Sequence, residues 1–286
     1  MFNYVLYRIG QAIALTLPLK AAYFFAMFVS DIHYLFARKD RLAVQDNLRA
    51  IFPQLSNKEI CRIRLTMYRN FAKYLVDFFR FQKLDLAFIQ KNIKIKNIDR
   101  LNQALNLGKG VIVLTAHLGN WELGGVVVAL LGYPLSAVAL PHKSKQVNDF
   151  FNAQRQGKGL TVIPLGKAVR QCLDVFKKNQ IVALVGDRDF TAKGIQVNFF
   201  GKPTILPEGP AAFCLKTGAA IIPAFMVRNV DDTFTLLFEE PITFTPTDNR
   251  HDDIRALVER YKPLFERYIR TYPDQWYMYR RFWIEH

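Results

Sequence analysis

The chain has 286 residues, 51% of them apolar, which is ample for a sizeable core in one large α/β domain or two smaller ones. Against 24 Asp and Glu stand 39 Lys and Arg, a formal charge of +15, so its partners should be anionic: nucleic acid, phospholipid headgroups or an acidic carrier. The three cysteines, Cys61, Cys172 and Cys214, are odd in number and far apart, which excludes a disulfide framework and reads as reduced core residues on a reducing side.

In chain order, the first expectation is a helical pair broken near Pro18. The longest early stretch free of Asp, Glu, Lys and Arg runs from Ile9 to Leu19 and ends at Lys20, well short of the roughly 18 to 20 residues of a membrane span. A second apolar block, Ala21 to Ser30, stops at Asp31, and the basic residues Arg38, Lys39 and Arg41 follow. No small-residue cleavage site marks a signal peptide. Residues 1–40 are therefore expected to be an uncleaved membrane-associating helical segment, lying in or dipping into the bilayer with its basic flank towards anionic lipid. A buried helix of the soluble core and a single tilted span are the alternatives. Residues 41–286 then form a single α/β domain.

From Leu42 to Phe81 the pattern is helical, with a break at Pro53. Ser56 followed by Glu59 is a capping box that opens the next helix, on which Ile60, Ile63, Met67, Phe71, Tyr74, Leu75 and Phe78 recur as an apolar face. From about residue 111 the runs "VIVLTA", "LSAVALP", "LTVIPL", "IVALVG" and "AIIPAFMV" predict strands buried on both faces. Helices are expected over 121–131, 144–157, 167–178 and 207–217, a hairpin-linked strand at "FTLLFEEPITF", and a closing helix over 251–271. The fold class is α/β, a mostly parallel sheet flanked by helices. No internal repeat, low-complexity tract or long Gly/Ser linker interrupts it.

"TAHLGNWELGG" places His117 at the carboxyl end of the first buried strand and Glu122 in the following helix. In open α/β sheets that edge binds ligands, because its loops are exposed and helix N-termini point at it. The turn at Gly119 is short enough for Glu122 to reach back and hydrogen-bond the imidazole. Such a carboxylate would fix the tautomer and leave the other ring nitrogen to take a proton from an incoming hydroxyl. The pair is two-thirds of a hydrolase triad with no protein nucleophile between; were a substrate hydroxyl to supply the nucleophile, the reaction would be a direct acyl transfer. Other polar groups gather at equivalent strand ends: Arg155 before "GLTVIPL", and Asp187, Arg188 and Asp189 in "GDRDF" after "IVALV". Glu208 in "LPEGPAAF" starts a helix, where the helix dipole alone would favour an acid. A Gly-x-Ser-x-Gly elbow, a Walker loop and a Gly-x-Gly-x-x-Gly are all absent, and the five histidines are too scattered for a zinc site.

"TAHLGNWE" resembles the His-x-x-x-x-acid motif of glycerolipid acyltransferases in its Glu form. With "NLRAIFPQLS", "GDRDF…VNFFGKP…GPAAFCLKTGAAIIPAF" and "YPDQWYMYRRFW" in the same order, the whole chain is similar to the bacterial late acyltransferases of lipid A biosynthesis. The resemblance implies a glycerolipid-acyltransferase-like fold at the cytoplasmic face of the inner membrane. It implies transfer of a fatty acyl group from acyl carrier protein, or from coenzyme A, to a hydroxyl of a glycolipid. A lipid A precursor comes first among the acceptors, with phosphatidylinositol mannoside the alternative. His117 would be the general base and Glu122 its partner, with Arg155 and Asp187 lining a headgroup site. Backbone N–H groups near Asn120, or a nearby cation, would stabilise the oxyanion, and Asn120, Arg188, Asp189 and Glu208 are the further binding candidates. No cofactor, metal or nucleic acid is implied. The chain departs from relatives at Arg188, where many carry Gln, and at Tyr277 and Tyr279, where Trp is frequent; these bear on acceptor identity more than on reaction type. The rival from another class is a basic membrane-surface protein without catalysis, in which His117 and Glu122 would be replaceable.

Overall fold

The computed structural model describes residues 2–190 and 194–284. Four helices lead: α1 (Phe2–Thr16), α2 (Leu19–Phe36), α3 (Arg38–Ile51) and α4 (Asn57–Phe79). The break between α1 and α2 falls at Pro18, which lacks an N–H and sits extended at φ −55 and ψ 147. The capping box forms as its spacing predicts: Glu59 N–H donates to Ser56 Oγ at 3.3 Å and Ser56 N–H to Glu59 Oε2 at 2.8 Å.

Helices and strands then alternate: α5 (Leu86–Asn92), β1 (Ile93–Lys96), α6 (Asp99–Leu105), β2 (Val111–Thr115), α7 (Trp121–Leu130), β3 (Leu135–Ala139), α8 (Lys145–Gln156), β4 (Thr161–Pro164), α9 (Ala168–Lys177) and β5 (Ile181–Val185). The chain continues through β6 (Ile195–Phe199), β7 (Lys202–Leu206), α10 (Gly209–Thr217), β8 (Ala220–Arg228), β9 (Phe234–Phe238) and α11 (Arg250–Thr271). Seven strands form one sheet in the order β1-β9-β8-β2-β5-β3-β4, parallel except where β9 runs against β8. Helices cover both of its faces, so the central strands need no polar side and read as continuous apolar runs.

Alternation along β2 assigns the two faces. Val111 and Val113 pack with Phe78, Val126 and Phe151 on the side of α4, α7 and α8. Ile112 and Leu114 pack with Cys172, Tyr261 and Phe265 on the side of α9 and α11. Cys172 and Cys214 are buried, which pushes their thiols up to about 12 and about 11. Cys61 is not a core residue as expected: it lies exposed beside Tyr34 and Arg64, on the outer face of α4.

Three strands, and the short helices α5 and α6, lie outside the sequence reading. "IKIK" is the edge strand β1, whose lysines suit an exposed edge. β6 and β7 form a separate antiparallel hairpin, turning at Phe200 and Gly201 with φ of 52 and 76. α2 lies along α4 and turns Phe24, Phe25, Phe28, Leu35 and Phe36 outward, beside Val5, Leu6 and Ile9 of α1. Among the described residues, no helix is long and apolar enough to cross a membrane.

Candidate active site

The chain leaves β2 through Ala116 and enters α7 at Trp121, and the turn between them is held from three sides. Tyr277 N–H donates to His117 C=O at 2.9 Å, Gly119 N–H to Gln275 C=O at 2.9 Å, and Asn120 N–H to Met226 C=O at 2.7 Å. Gly119 has φ +64, and a Cβ there would stand 2.0 Å from the Met226 carbonyl oxygen, so both the backbone conformation and the space require glycine. Asn120 closes the turn as the N-cap of α7, its Oδ1 accepting from Leu123 N–H at 3.1 Å.

β5 is the parallel neighbour of β2, so the loop after Val185 emerges beside the loop after Thr115. That juxtaposition brings Nδ1 of His117 to 2.6 Å from Oδ1 of Asp187. Trp276 Nε1 donates to the other carboxylate oxygen at 3.0 Å, and Asp187 has no exposed surface. Burial alone would raise this carboxyl, but the charge and hydrogen bond of His117, with Arg188 and Trp276, hold it well below the usual carboxylate range. An ionised carboxylate only accepts, so the ring proton is on Nδ1. Among the described residues Nε2 makes no hydrogen bond, and the imidazole edge stands 5.0 Å, centroid to centroid, from Trp121. The arrangement can therefore accept a proton at Nε2, with the imidazolium that forms stabilised by the Asp187 carboxylate.

Glu122 does not reach back to His117 as expected. It lies in the first turn of α7, where Arg155 from the last turn of α8 grips it bidentately, Nε to Oε2 at 2.8 Å and Nη2 to Oε1 at 2.6 Å. Both side chains are nearly buried, at 13% and 10% exposure, and the guanidinium lies over the rings of Phe78 and Phe151. Burial would lower the Arg155 guanidinium, but the charge and hydrogen bonds of Glu122 raise it, so the guanidinium stays charged. Sequence proximity thus selected the wrong carboxylate for the imidazole, while Asp187 stood among the binding candidates.

The remaining candidates divide. Arg188 donates from Nη2 to the Tyr277 carbonyl, and its guanidinium is pushed down by burial and by the like charge of Arg280. Asp189 accepts from Gly194 N–H, just ahead of β6, at 3.2 Å. Glu208 occupies the N-cap of α10 without a side-chain cap, and among the described residues no hydrogen bond or ion pair links it to His117, Asp187, Glu122 or Arg155. Trp276 was legible only as part of a longer similar block. Among the described residues no group of three or more His, Cys, Asp and Glu could hold a metal ion.

An apolar groove of about 460 Å³ opens between α1, α2 and α4, lined among others by Ile13, Phe25, Val29, Ala72 and Leu75. Phe71 and Tyr279 are also in its wall. Phe71 packs on Tyr74, Tyr74 stacks on Trp121 at 4.7 Å, and Trp121 faces His117. A chain of ring contacts thus runs from the groove wall to the imidazole.

The family model described as bacterial lipid A biosynthesis acyltransferase matches residues 1–284. A phosphatidylinositol mannoside acyltransferase of Mycolicibacterium smegmatis is 30% identical over 219 residues, covering 75% of this chain and 70% of its own. The lipid A biosynthesis palmitoleoyltransferase of Escherichia coli is 25% identical over 251 residues, covering 86% of this chain and 80% of its own. A crystal structure of the 1-acyl-sn-glycerophosphate acyltransferase PlsC from Thermotoga maritima overlaps 85% of this chain and 98% of its own, at a TM-score of 0.39 and 12% identity.

Proposed function

This chain belongs to the bacterial lipid A biosynthesis acyltransferase family and is an acyltransferase, and on that premise we propose that it moves a fatty acyl chain from acyl carrier protein or acyl-CoA to a hydroxyl of a glycolipid, with a lipid A precursor as acceptor in a late acylation step. The observation that carries the mechanism is the His117–Asp187 pair with Nε2 left open. Nε2 takes the proton of the acceptor hydroxyl as its oxygen attacks the thioester carbonyl. The tetrahedral intermediate then collapses, the C–S bond breaks, and the imidazolium returns the proton to the leaving thiolate. Asp187 keeps the tautomer throughout and stabilises the imidazolium, as a carboxylate does in a hydrolase triad.

In this reading Glu122 and Arg155 act as one rigid pair. They hold the polar headgroup of the acceptor at the first turn of α7, and Arg188, with Arg280 nearby, adds positive potential for phosphorylated groups. The groove between α1, α2 and α4 is apolar, and ring contacts link its wall to His117, which suits an acyl chain whose thioester lies at the imidazole.

Residues 1–40 are proposed to sit on the cytoplasmic face of the inner membrane, with 41–286 as the catalytic unit. Phe24 at 72% and Phe36 at 81% exposure give α2 an outward apolar face, and Arg38, Lys39 and Arg41 follow it. Such a face enters the acyl boundary of a bilayer while the cations meet anionic headgroups.

A phosphatidylinositol mannoside acceptor is the second reading, favoured by the 30% identity to the mycolicibacterial enzyme. The two are separated by offering both acceptors to the detergent-solubilised protein with acyl carrier protein and coenzyme A donors. Acylation of the lipid A precursor supports the first; acylation of the mannoside alone moves the chain to the second.

A further inference from the structure

Asp77 lies near the end of α4, in "YLVDFFRF", on the same side of the helix as Asn70 and Lys73, and its side chain is 7% exposed. It is the hub of a polar cluster that nothing in the acyl-transfer steps uses. Tyr23 of α2 donates its hydroxyl to Oδ1, while Oδ2 accepts from Arg228 Nη2 and, at 2.8 Å, from Asn120 Nδ2. Arg228 Nη1 also donates to Tyr23 Oη at 3.1 Å, and the guanidinium lies over the rings of Tyr23 and Phe234. On the outer side Asp232 pairs with Arg228 at 3.3 Å and with Lys73 at 2.7 Å.

A buried ion pair of this kind is weak as a source of stability, since apolar residues of similar volume serve as well or better. Its geometry suggests what else it does. An acceptor-only carboxylate dictates that the amide nitrogen of Asn120 faces Asp77, which turns Oδ1 towards Leu123 N–H and fixes the cap of α7. The backbone of Arg228 is locked to the Gln275 side chain by bonds of 2.9 Å in both directions, and Gln275 C=O takes Gly119 N–H. The carboxylate therefore grips the His117–Asn120 turn at Asn120 and, through Arg228 and Gln275, at Gly119.

We infer that Asp77 is a positioning residue for His117, setting the turn that presents the imidazole to Asp187 without touching substrate. The inference rests on the reading of His117 as the base. The loss expected from a turn displaced by a fraction of an ångström falls on the chemical step rather than on substrate binding.

The test compares wild type with Asp77→Asn, the exchange Asp77→Asn/Asn120→Asp, and Asp232→Asn, in acyl-transfer kinetics and in the NMR signal of the His117 Nδ1–H proton, assigned with His117→Ala. Asp77→Asn sets two amides against each other and should lower kcat roughly 10- to 100-fold with KM within about twofold, and shift or broaden the His117 proton. The exchange restores an amide facing a carboxylate and should recover most of both. Asp232→Asn loosens the outer side of the same cluster and should lower the melting temperature while leaving kcat and the proton signal as in wild type. If Asp77→Asn does not fold, Asn120→Ser takes its place, because serine caps α7 but is too short to reach Asp77. Unchanged kcat and proton signal in Asp77→Asn, or an equal kcat loss in Asp232→Asn, would overturn the inference. Because the proton signal needs no turnover, it reports on Asp77 even if His117→Ala retains activity and the functional reading itself fails.

Discussion

Nδ1 of His117 lies 2.6 Å from Oδ1 of Asp187, a carboxylate with no exposed surface that also receives the Trp276 indole N–H. With the ring proton committed to Asp187, Nε2 is the one basic nitrogen the site presents. Replacing Asp187 with Asn offers the ring an amide in place of a charge and permits the wrong tautomer. Asp187→Asn should lower kcat by roughly 10²- to 10⁴-fold with KM little changed. Steady-state acyl-transfer kinetics check this, and a kcat near that of wild type would contradict it.

The same carboxyl gives a pH signature. Its folded value is held below the ordinary one of about 3.9, so the folded state binds fewer protons than the unfolded state between the two values. Its contribution to stability is complete above about pH 5 and drains away as the pH falls towards the folded value. Denaturant melts of wild type and Asp187→Asn should therefore diverge as the pH rises through the acid range and run parallel above it. A constant difference across that range would remove the assignment.

Glu122 and Arg155 face each other almost buried, so losing either partner strands a charge. Arg155→Met should cost about 3 to 5 kcal/mol of stability, and Arg155→Met with Glu122→Gln considerably less. If the pair holds the headgroup, as proposed, Glu122→Gln alone should lower activity chiefly through the acceptor KM, since Glu122 is bonded to Arg155 and not to the imidazole. A pure kcat effect with unchanged acceptor KM would return Glu122 to the role of the base's partner.

Ala72 lines the groove between α1, α2 and α4, and a larger side chain there would fill it. Ala72→Phe should shift preference from palmitoyl towards lauroyl donors by at least about tenfold in kcat/KM, since each buried methylene carries about 0.8 kcal/mol. Donor competition measures the ratio. An unchanged preference would separate the groove from the acyl chain.

The buried strands were legible because helices on both faces leave β2, β3, β5 and β8 no reason to alternate. β1 was missed because "IKIK" is an edge with exposed lysines, and β6–β7 because its turn depends on Phe200 adopting a positive φ that its identity does not announce. The site was legible as an edge of the sheet and as the set His117, Glu122, Arg155 and Asp187. Its pairing was not, because that depends on β5 lying beside β2, and strand order is set by packing across the whole sheet. Reading outward from His117 along the chain meets Glu122 first, whereas the fold sends Glu122 towards α8 and brings Asp187 in from the neighbouring strand. Asp77 left a sequence signal of its own, a carboxylate set between the apolar residues Val76 and Phe78.

The central claim is that this chain transfers an acyl group with His117 as base. The direct measurement offers lauroyl, myristoyl and palmitoyl acyl carrier protein, with a tetra-acylated lipid A precursor and a phosphatidylinositol mannoside as acceptors, to wild type and His117→Ala, and weighs the products by mass spectrometry. Wild type should give a product heavier by one acyl chain and the variant none. Equal product from both, or no product with either acceptor, would contradict it.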